Sequence, residues 1–142
     1  MDLTDRSGWM GLLARAAPAQ LAQLLGPLPE HRLARAPQIG TVMVQGRMGG
    51  TGAPFNLGEM PVTRCTLRLA SGTVGHAYVQ GRDLDHARRA AIVDAMMQDD
   101  PAPVRARILR PLAEARAERE AALRAKAAAT RVEFFTLARA EA

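Results

Sequence analysis

The strongest constraint on the fold is residues 45–64, QGRMGGTGAPFNLGEMPVTR. They carry Gly46, Gly49, Gly50, Gly52 and Gly58, two prolines and Phe55, with Arg47 and Arg64 near the two ends. Glycine tolerates positive φ and lets the backbone approach another surface closely. Such a density predicts a long loop with an unusual path, either a wide turn joining two strands or a functional loop. Both flanks read as β-structure. Before the loop, residues 39–45 are rich in β-branched residues. After it, residues 61–70 alternate, with Val62, Arg64, Thr66 and Arg68 on one face and Thr63, Cys65, Leu67 and Leu69 on the other. Ser71-Gly72 is a hairpin turn signal, so residues 73–80 should return antiparallel.

Helical patterns surround these strands. Trp9, Leu12, Leu13 and Ala16 fall at helical spacing in a first helix running from Thr4 or Ser7 to Ala17. Pro18 suits the first position of a second short helix with Leu21, Leu24 and Leu25 on one face, stopped by Gly26-Pro27. Residues 29–37 read as irregular or as one further helical turn. Asp83 or Asp85 can cap a central helix ending near Gln98, whose Ala87, Ala91, Ala95, Ile92 and Met96 face the sheet. Pro101 and Pro103 break the chain, and residues 104–110 are a short helix or an extended piece. From Pro111 a long helix reaches about Thr130, its apolar content nearly all alanine, with a favourable Glu120–Arg124 pair. Residues 130–138, TRVEFFTLA, lean to a short strand, although a helical continuation also fits. The fold class expected is α+β: a small antiparallel sheet of three or four strands flanked by N-terminal helices, one central helix and a long Ala/Arg-rich C-terminal helix.

At 142 residues the chain has the length of one domain. Hydrophobic residues make up 48% but aromatics only 4%, and alanine faces bury little area each, so part of the fold should need a partner to close it. Nineteen basic residues, eighteen of them arginine, face fourteen acidic ones for a net charge of +5. Arginine's planar fork suits carboxylate and phosphate partners, although Ala/Arg-rich usage of a GC-rich genome gives the same composition. No basic run, zinc spacing or aromatic-studded sheet points to nucleic acid. The single Cys65 excludes an internal disulfide and suits a core thiol. Neither a signal segment nor an apolar run of membrane-spanning length is present, so a soluble cytoplasmic protein is expected.

Catalytic patterns are mostly missing. Counting from Gly46 places Thr51 where a Walker loop needs its second glycine, and the loop has no lysine. The dinucleotide fingerprint fails because a strand, not a helix, follows. What remains is an anion nest of Gly49, Gly50 and Gly52 amides, with Arg47, Arg64 or Arg82 adding charge. His31, His76 and His86 lack metal-ligand spacing, so no metal is expected. Asp83, Asp85 and Asp94 are acid–base candidates, but two of them sit where helix caps belong. Trp9, the lone tryptophan, reads as a core or interface anchor rather than a stacking platform.

Taken together, Trp9-Met10 with Leu13-Ala14, RMGGTG with Phe55, Thr63-Arg64, Val79-Gln80-Gly81-Arg82-Asp83, Ala91 to Gln98, and Arg131-Val132-Glu133-Phe134-Phe135-Thr136 resemble the PhnG family over nearly the whole length. These are subunits of the bacterial carbon–phosphorus lyase core complex. The tail departs: Ala138-Arg139-Ala140 stands where the family often ends in an arginine-glycine pair. The resemblance implies a single PhnG-like domain over residues 1–142. It also implies a hetero-oligomer with PhnI, PhnH and PhnJ, and an accessory part, with PhnI, PhnH and PhnL, in replacing the adenine of ATP by methylphosphonate. PhnI would be the catalytic subunit, with ATP the substrate of the assembled complex and no cofactor on this chain. The product is a ribose 1-methylphosphonate 5-triphosphate, from which the radical iron–sulfur enzyme PhnJ later cleaves the carbon–phosphorus bond. No catalytic residue carries over. The expected site is an anion- or partner-binding loop of Arg47, Gly49, Gly50, Thr51, Gly52, Phe55, Arg64 and Arg82, with Trp9, Arg131, Phe134 and Phe135 at interfaces. A stand-alone anion-binding or regulatory domain is the alternative.

Overall fold

In the computed structural model, residues 2–141 are described, with side chains described as far as residue 131. The chain divides into two compact units, residues 1–112 and 113–142.

The first unit begins with α1 (Arg6–Ala14), which buries Trp9, Leu12 and Leu13. It ends three residues earlier than the spacing predicts. Ala17 precedes Pro18 and takes an extended conformation, φ −63° and ψ 121°, because the proline ring excludes the helical one. Pro18 then opens α2 (Pro18–Leu25), which stops where Gly26 turns to φ +69°.

Three antiparallel strands follow in the order β1-β2-β3: β1 (His31–Arg47), β2 (Pro54–Leu69) and β3 (Val74–Gln80). The expected irregular segment at 29–37 is therefore mostly strand. Pro37 fits because β1 is an edge strand, where a missing N–H removes no interior ladder bond. The expected 20-residue loop is also corrected. Arg47 pairs with Pro54 and Thr41 with Pro61, so most of the glycine-rich stretch is ladder and the true connection is residues 48–53. The inner face carries Thr63, Cys65 and Leu67 of β2 with Gly75, Ala77 and Val79 of β3, all buried. Val62 departs from the alternation and is also buried, at 3% exposure.

Helix α3 (Leu84–Asp99) lies on this inner face. The Asp83 side chain caps it by accepting from the His86 backbone N–H at 2.9 Å, and Ala87, Ala91, Ala95 and Ile92 are buried as the spacing predicts. Small residues permit close approach: a Cβ on Gly75 would overlap the Ala91 carbonyl oxygen and stand 2.9 Å from Ala95 Cβ. The C-terminal end of α3 is tied to the β2–β3 turn by hydrogen bonds from the Ser71 and Thr73 hydroxyls to Asp99, which hold that carboxyl below its ordinary range. After α4 (Pro101–Val104) the backbone makes a wide helical turn over Arg105–Leu109 that buries Ile108 and Leu109, and Leu112 closes the unit. Fully burying such a leucine contributes roughly 1.5–3 kcal/mol.

The second unit is the continuation of α5 (Arg110–Glu141). The strand leaning for residues 130–138 is thus overturned at the backbone level: arginine, alanine and glutamate upstream are strong helix formers, and propagation costs less than a new start. Residues 117–131 are exposed. The i,i+4 pair formed is Arg116 with Glu120, at 3.0 Å, rather than Glu120 with Arg124. The side chains of Phe134 and Phe135 lie outside the described residues.

Candidate functional site

The buried carboxylate of Asp94 is the first place to look for chemistry. One oxygen accepts from Arg6 Nε (3.2 Å) and Trp9 Nε1 (2.8 Å). The other accepts from Arg6 Nη2 (2.8 Å), the His76 backbone N–H (2.9 Å) and Gln98 Nε2 (3.4 Å). Asp94 has no exposed surface, and with five donors converging on it there is no access for a substrate. Its role is structural. β3 is an edge strand whose free N–H at His76 is taken by Asp94 and whose free carbonyl at Val74 is taken by Gln98 (2.9 Å), so α3 closes that edge against further pairing. In return the carboxylate pushes the Arg6 guanidinium above its ordinary value. Trp9 is accordingly a core residue anchored by its indole N–H.

His86 is likewise committed. Buried at 3% exposure, its Nε2–H donates to the Leu13 carbonyl at 2.9 Å, which satisfies a carbonyl in the last turn of α1. Cys65 is buried against α3, and desolvation lifts its thiol above the ordinary value, opposed by the charge of Arg88. A thiol held neutral in the fold ionises freely once unfolded, so its contribution to stability is complete below about pH 8.5 and declines as pH rises through the raised value. A thiol reagent at pH 8 is expected to label Cys65 only after urea unfolding. Rapid labelling of the native chain would contradict its burial.

The exposed surface lies on the other side of the sheet. From Thr41–Pro61 to Arg47–Pro54 the β1–β2 hairpin has no third strand, and it runs about 23 Å beyond the last row that includes β3. One face of this arm is apolar. Val42 lies opposite Met60, Gly46 opposite Phe55, and Leu57 is the extra residue of a bulge at Val44/Gln45. Gly46 has no side chain, so Leu57 and Phe55 close over it; a Cβ there would meet them at 3.1 and 3.2 Å. Phe55 is 40% and Leu57 63% exposed, and Met43, on the opposite face, is 54% exposed.

At the tip, Gly49 and Gly50 have φ of +62° and +84°, a conformation that favours glycine. The Gly52 amide donates to the Met48 carbonyl at 2.7 Å and is not directed outward. Arg47 Nη1 donates to the Gly52 carbonyl at 3.4 Å, folding back on the turn. The arm tip therefore gathers Arg47, Gly49, Gly50, Thr51, Gly52 and Phe55. Arg64 is not among them: it pairs with Gln38, nine ladder positions from Arg47, about 30 Å along the strand. Arg82 is exposed beyond the end of β3, next to the cap of α3. Arg131 is exposed on α5 in the second unit.

The alternation of β2 predicts a basic outer face through Arg64 and Arg68, and what sequence reasoning missed is that Arg32 and Arg35 of β1 extend this face across the sheet. Its rows are Arg32–Arg68–Val74, then Arg35–Thr66–His76, then Gln38–Arg64–Tyr78. Register shifts between Leu33 and Arg35 and between Arg35 and Gln38 turn Arg35 to the same side as Arg32. An R-x-x-R spacing has no meaning in a regular strand, so no local signal announced it.

The sheet and arm define a class of protein: an α+β domain with an exposed apolar ribbon and an exposed arginine-lined sheet face. The chain belongs to the PhnG family, the model of "Phosphonate metabolism protein PhnG" matching residues 4–140. A relative from Rhizobium meliloti (strain 1021), the alpha-D-ribose 1-methylphosphonate 5-triphosphate synthase subunit PhnG, is 42% identical over 143 residues, 98% of this chain and 92% of its own. Among the described residues no helix is long and apolar enough to cross a membrane, and no cluster of three metal-ligating side chains forms.

Proposed function

We propose that this chain is an accessory subunit of an alpha-D-ribose 1-methylphosphonate 5-triphosphate synthase, the assembly that exchanges the adenine of ATP for methylphosphonate in phosphonate catabolism. The observation that carries this is the 42% identity, over nearly all of both chains, with a relative named as that subunit. The geometry supports a binding rather than a catalytic part, because the buried Asp94 and His86 are fully engaged in holding elements together. Its partners in this reading are PhnI as the catalytic subunit, PhnH and PhnJ, with PhnL taking part in the reaction, and ATP belongs to the assembly.

The docking element is the β1–β2 arm. A two-stranded ribbon is marginal in water by itself, and Phe55, Leu57 and Met60 on one face gain most from a partner that covers them. The test is co-purification of the tagged full chain with PhnI, PhnH and PhnJ, comparing wild type with Phe55→Asp/Leu57→Asp and with Arg47→Ala. The double variant is expected to lose the complex while its own thermal midpoint falls by only about 2–4 °C, since both residues lie on the exposed arm and outside the core. Intact assembly with intact turnover in the double variant would remove the arm from the interface. Intact assembly with lost turnover in Arg47→Ala would place the tip at the reaction instead. A wild-type chain that stays at its own mass beside co-expressed partners would favour a stand-alone anion-binding domain.

A further inference from the structure

At the end of the sheet away from the arm, Arg32 and Arg68 stand directly opposite one another across the β1–β2 ladder. Like charges so placed repel, and among the described residues neither is paired with a carboxylate. They line a concave pocket of about 400 Å³ whose walls include His31, Leu69 and Gly72, with Glu30 also lining it. The His31 ring is held by a hydrogen bond between its Nδ1 and the Pro29 carbonyl, at 2.8 Å. Arg35 and Arg64 follow on the same face, one and two rows further along. Four arginines thus share one face of the sheet with no acidic residue in its rows.

We propose that this pocket binds a phosphate chain, with Arg32 and Arg68 taking the terminal phosphate and Arg35 and Arg64 meeting the charges that follow. Guanidinium forks match phosphate oxygens two at a time, and such charge-assisted bonds offset the repulsion built into the pair. The volume, about 400 Å³, is within the range of small-ligand sites. All the residues lining the pocket belong to this chain, so binding to the chain alone tests the inference whether or not the subunit reading holds. The phosphate chain has two possible sources, a free polyphosphate or the tail of a nucleotide.

Calorimetric titration of the full chain with tripolyphosphate, ATP and adenosine separates them. Tripolyphosphate is expected to bind, with affinity falling as salt rises. Arg32→Ala and Arg68→Ala are each expected to weaken it about tenfold, the loss of one charge-assisted contact. Glu30→Gln is expected to tighten it by removing a competing charge. Equal affinity for ATP and tripolyphosphate means that only the phosphate chain is recognised; tighter ATP adds nucleoside contacts. The proposal is overturned if neither polyphosphate binds wild type at millimolar concentration, or if folded Arg32→Ala and Arg68→Ala chains bind as wild type does. It is equally overturned if these arginines are needed for partner assembly and tripolyphosphate does not compete, which would make the face a protein interface.

Discussion

Replacing Asp94 by alanine is expected to lower the unfolding free energy by about 3–5 kcal/mol, the range for removing one partner of a buried ion pair. The loss comes mainly from the donors left behind. The Trp9 indole N–H and the His76 backbone N–H both lose the carboxylate they donate to, and each stranded donor costs about 1–3 kcal/mol. Arg6 contributes less, because its side chain is 42% exposed and can turn to water. Arg6→Ala leaves the buried Asp94 carboxylate without its cation but still held by Trp9, His76 and Gln98, and is expected to cost about 2–3 kcal/mol, so the difference from Asp94→Ala separates the hydrogen-bond hub from the ion pair. Asp94→Asn should fall between the two, since the amide keeps the shape but turns an NH₂ toward groups that are themselves donors. Urea midpoints at constant slope measure all three. A loss below about 1 kcal/mol for Asp94→Ala would mean that α1, β3 and α3 are held together by apolar packing alone.

Gly75→Val is the other severe change, with about 3 kcal/mol or more expected from overpacking. The backbone at Gly75 lies in an ordinary strand opposite Leu67, so the effect is steric rather than conformational. Even a methyl group would overlap the Ala91 carbonyl oxygen, and α3 must lift from the sheet to admit it. Lifting α3 also weakens the Asp94 and Gln98 bonds that close the β3 edge. If Gly75→Val does not fold, Gly75→Ala gives a measurable version. Gly40→Ala is the control, because a Cβ at Gly40 meets nothing within 4 Å. Equal stability of Gly75→Ala and wild type would show that the helix can shift at little cost.

The amphipathic patterns were legible because they are local. Trp9, Leu12 and Leu13 share one helical face by spacing, Thr63, Cys65 and Leu67 share one strand face by alternation, and all are buried. Pro18, Gly26 and Asp83 mark boundaries by chemistry that acts within a few residues. The RMGGTG turn was legible as special, but not as the tip of a ribbon, because whether glycine-rich residues extend or loop depends on the strand across from them. Residues 54–60 are held extended by β1, one ladder pair at a time. The end of α5 was misread for the opposite reason: a six-residue alternation was weighed against a helix already formed upstream.

The sequence by itself determined the α+β class, the family, the helix boundaries set by proline and glycine, and the inward face of the sheet, since each follows from side-chain period or from backbone restrictions of single residues. Tertiary structure alone decided the rest. It joined Arg6, Trp9, His76 and Asp94, up to 88 residues apart, into one hydrogen-bond hub. It separated Arg47 from Arg64, set Arg32 across from Arg68, and through two irregularities in β1 brought Arg35 onto the face that Arg64 and Arg68 share. Pairing register is a long-range choice, and a shift of one residue exchanges the faces of a strand, so neither the arm nor the cationic face exists until the strands have met.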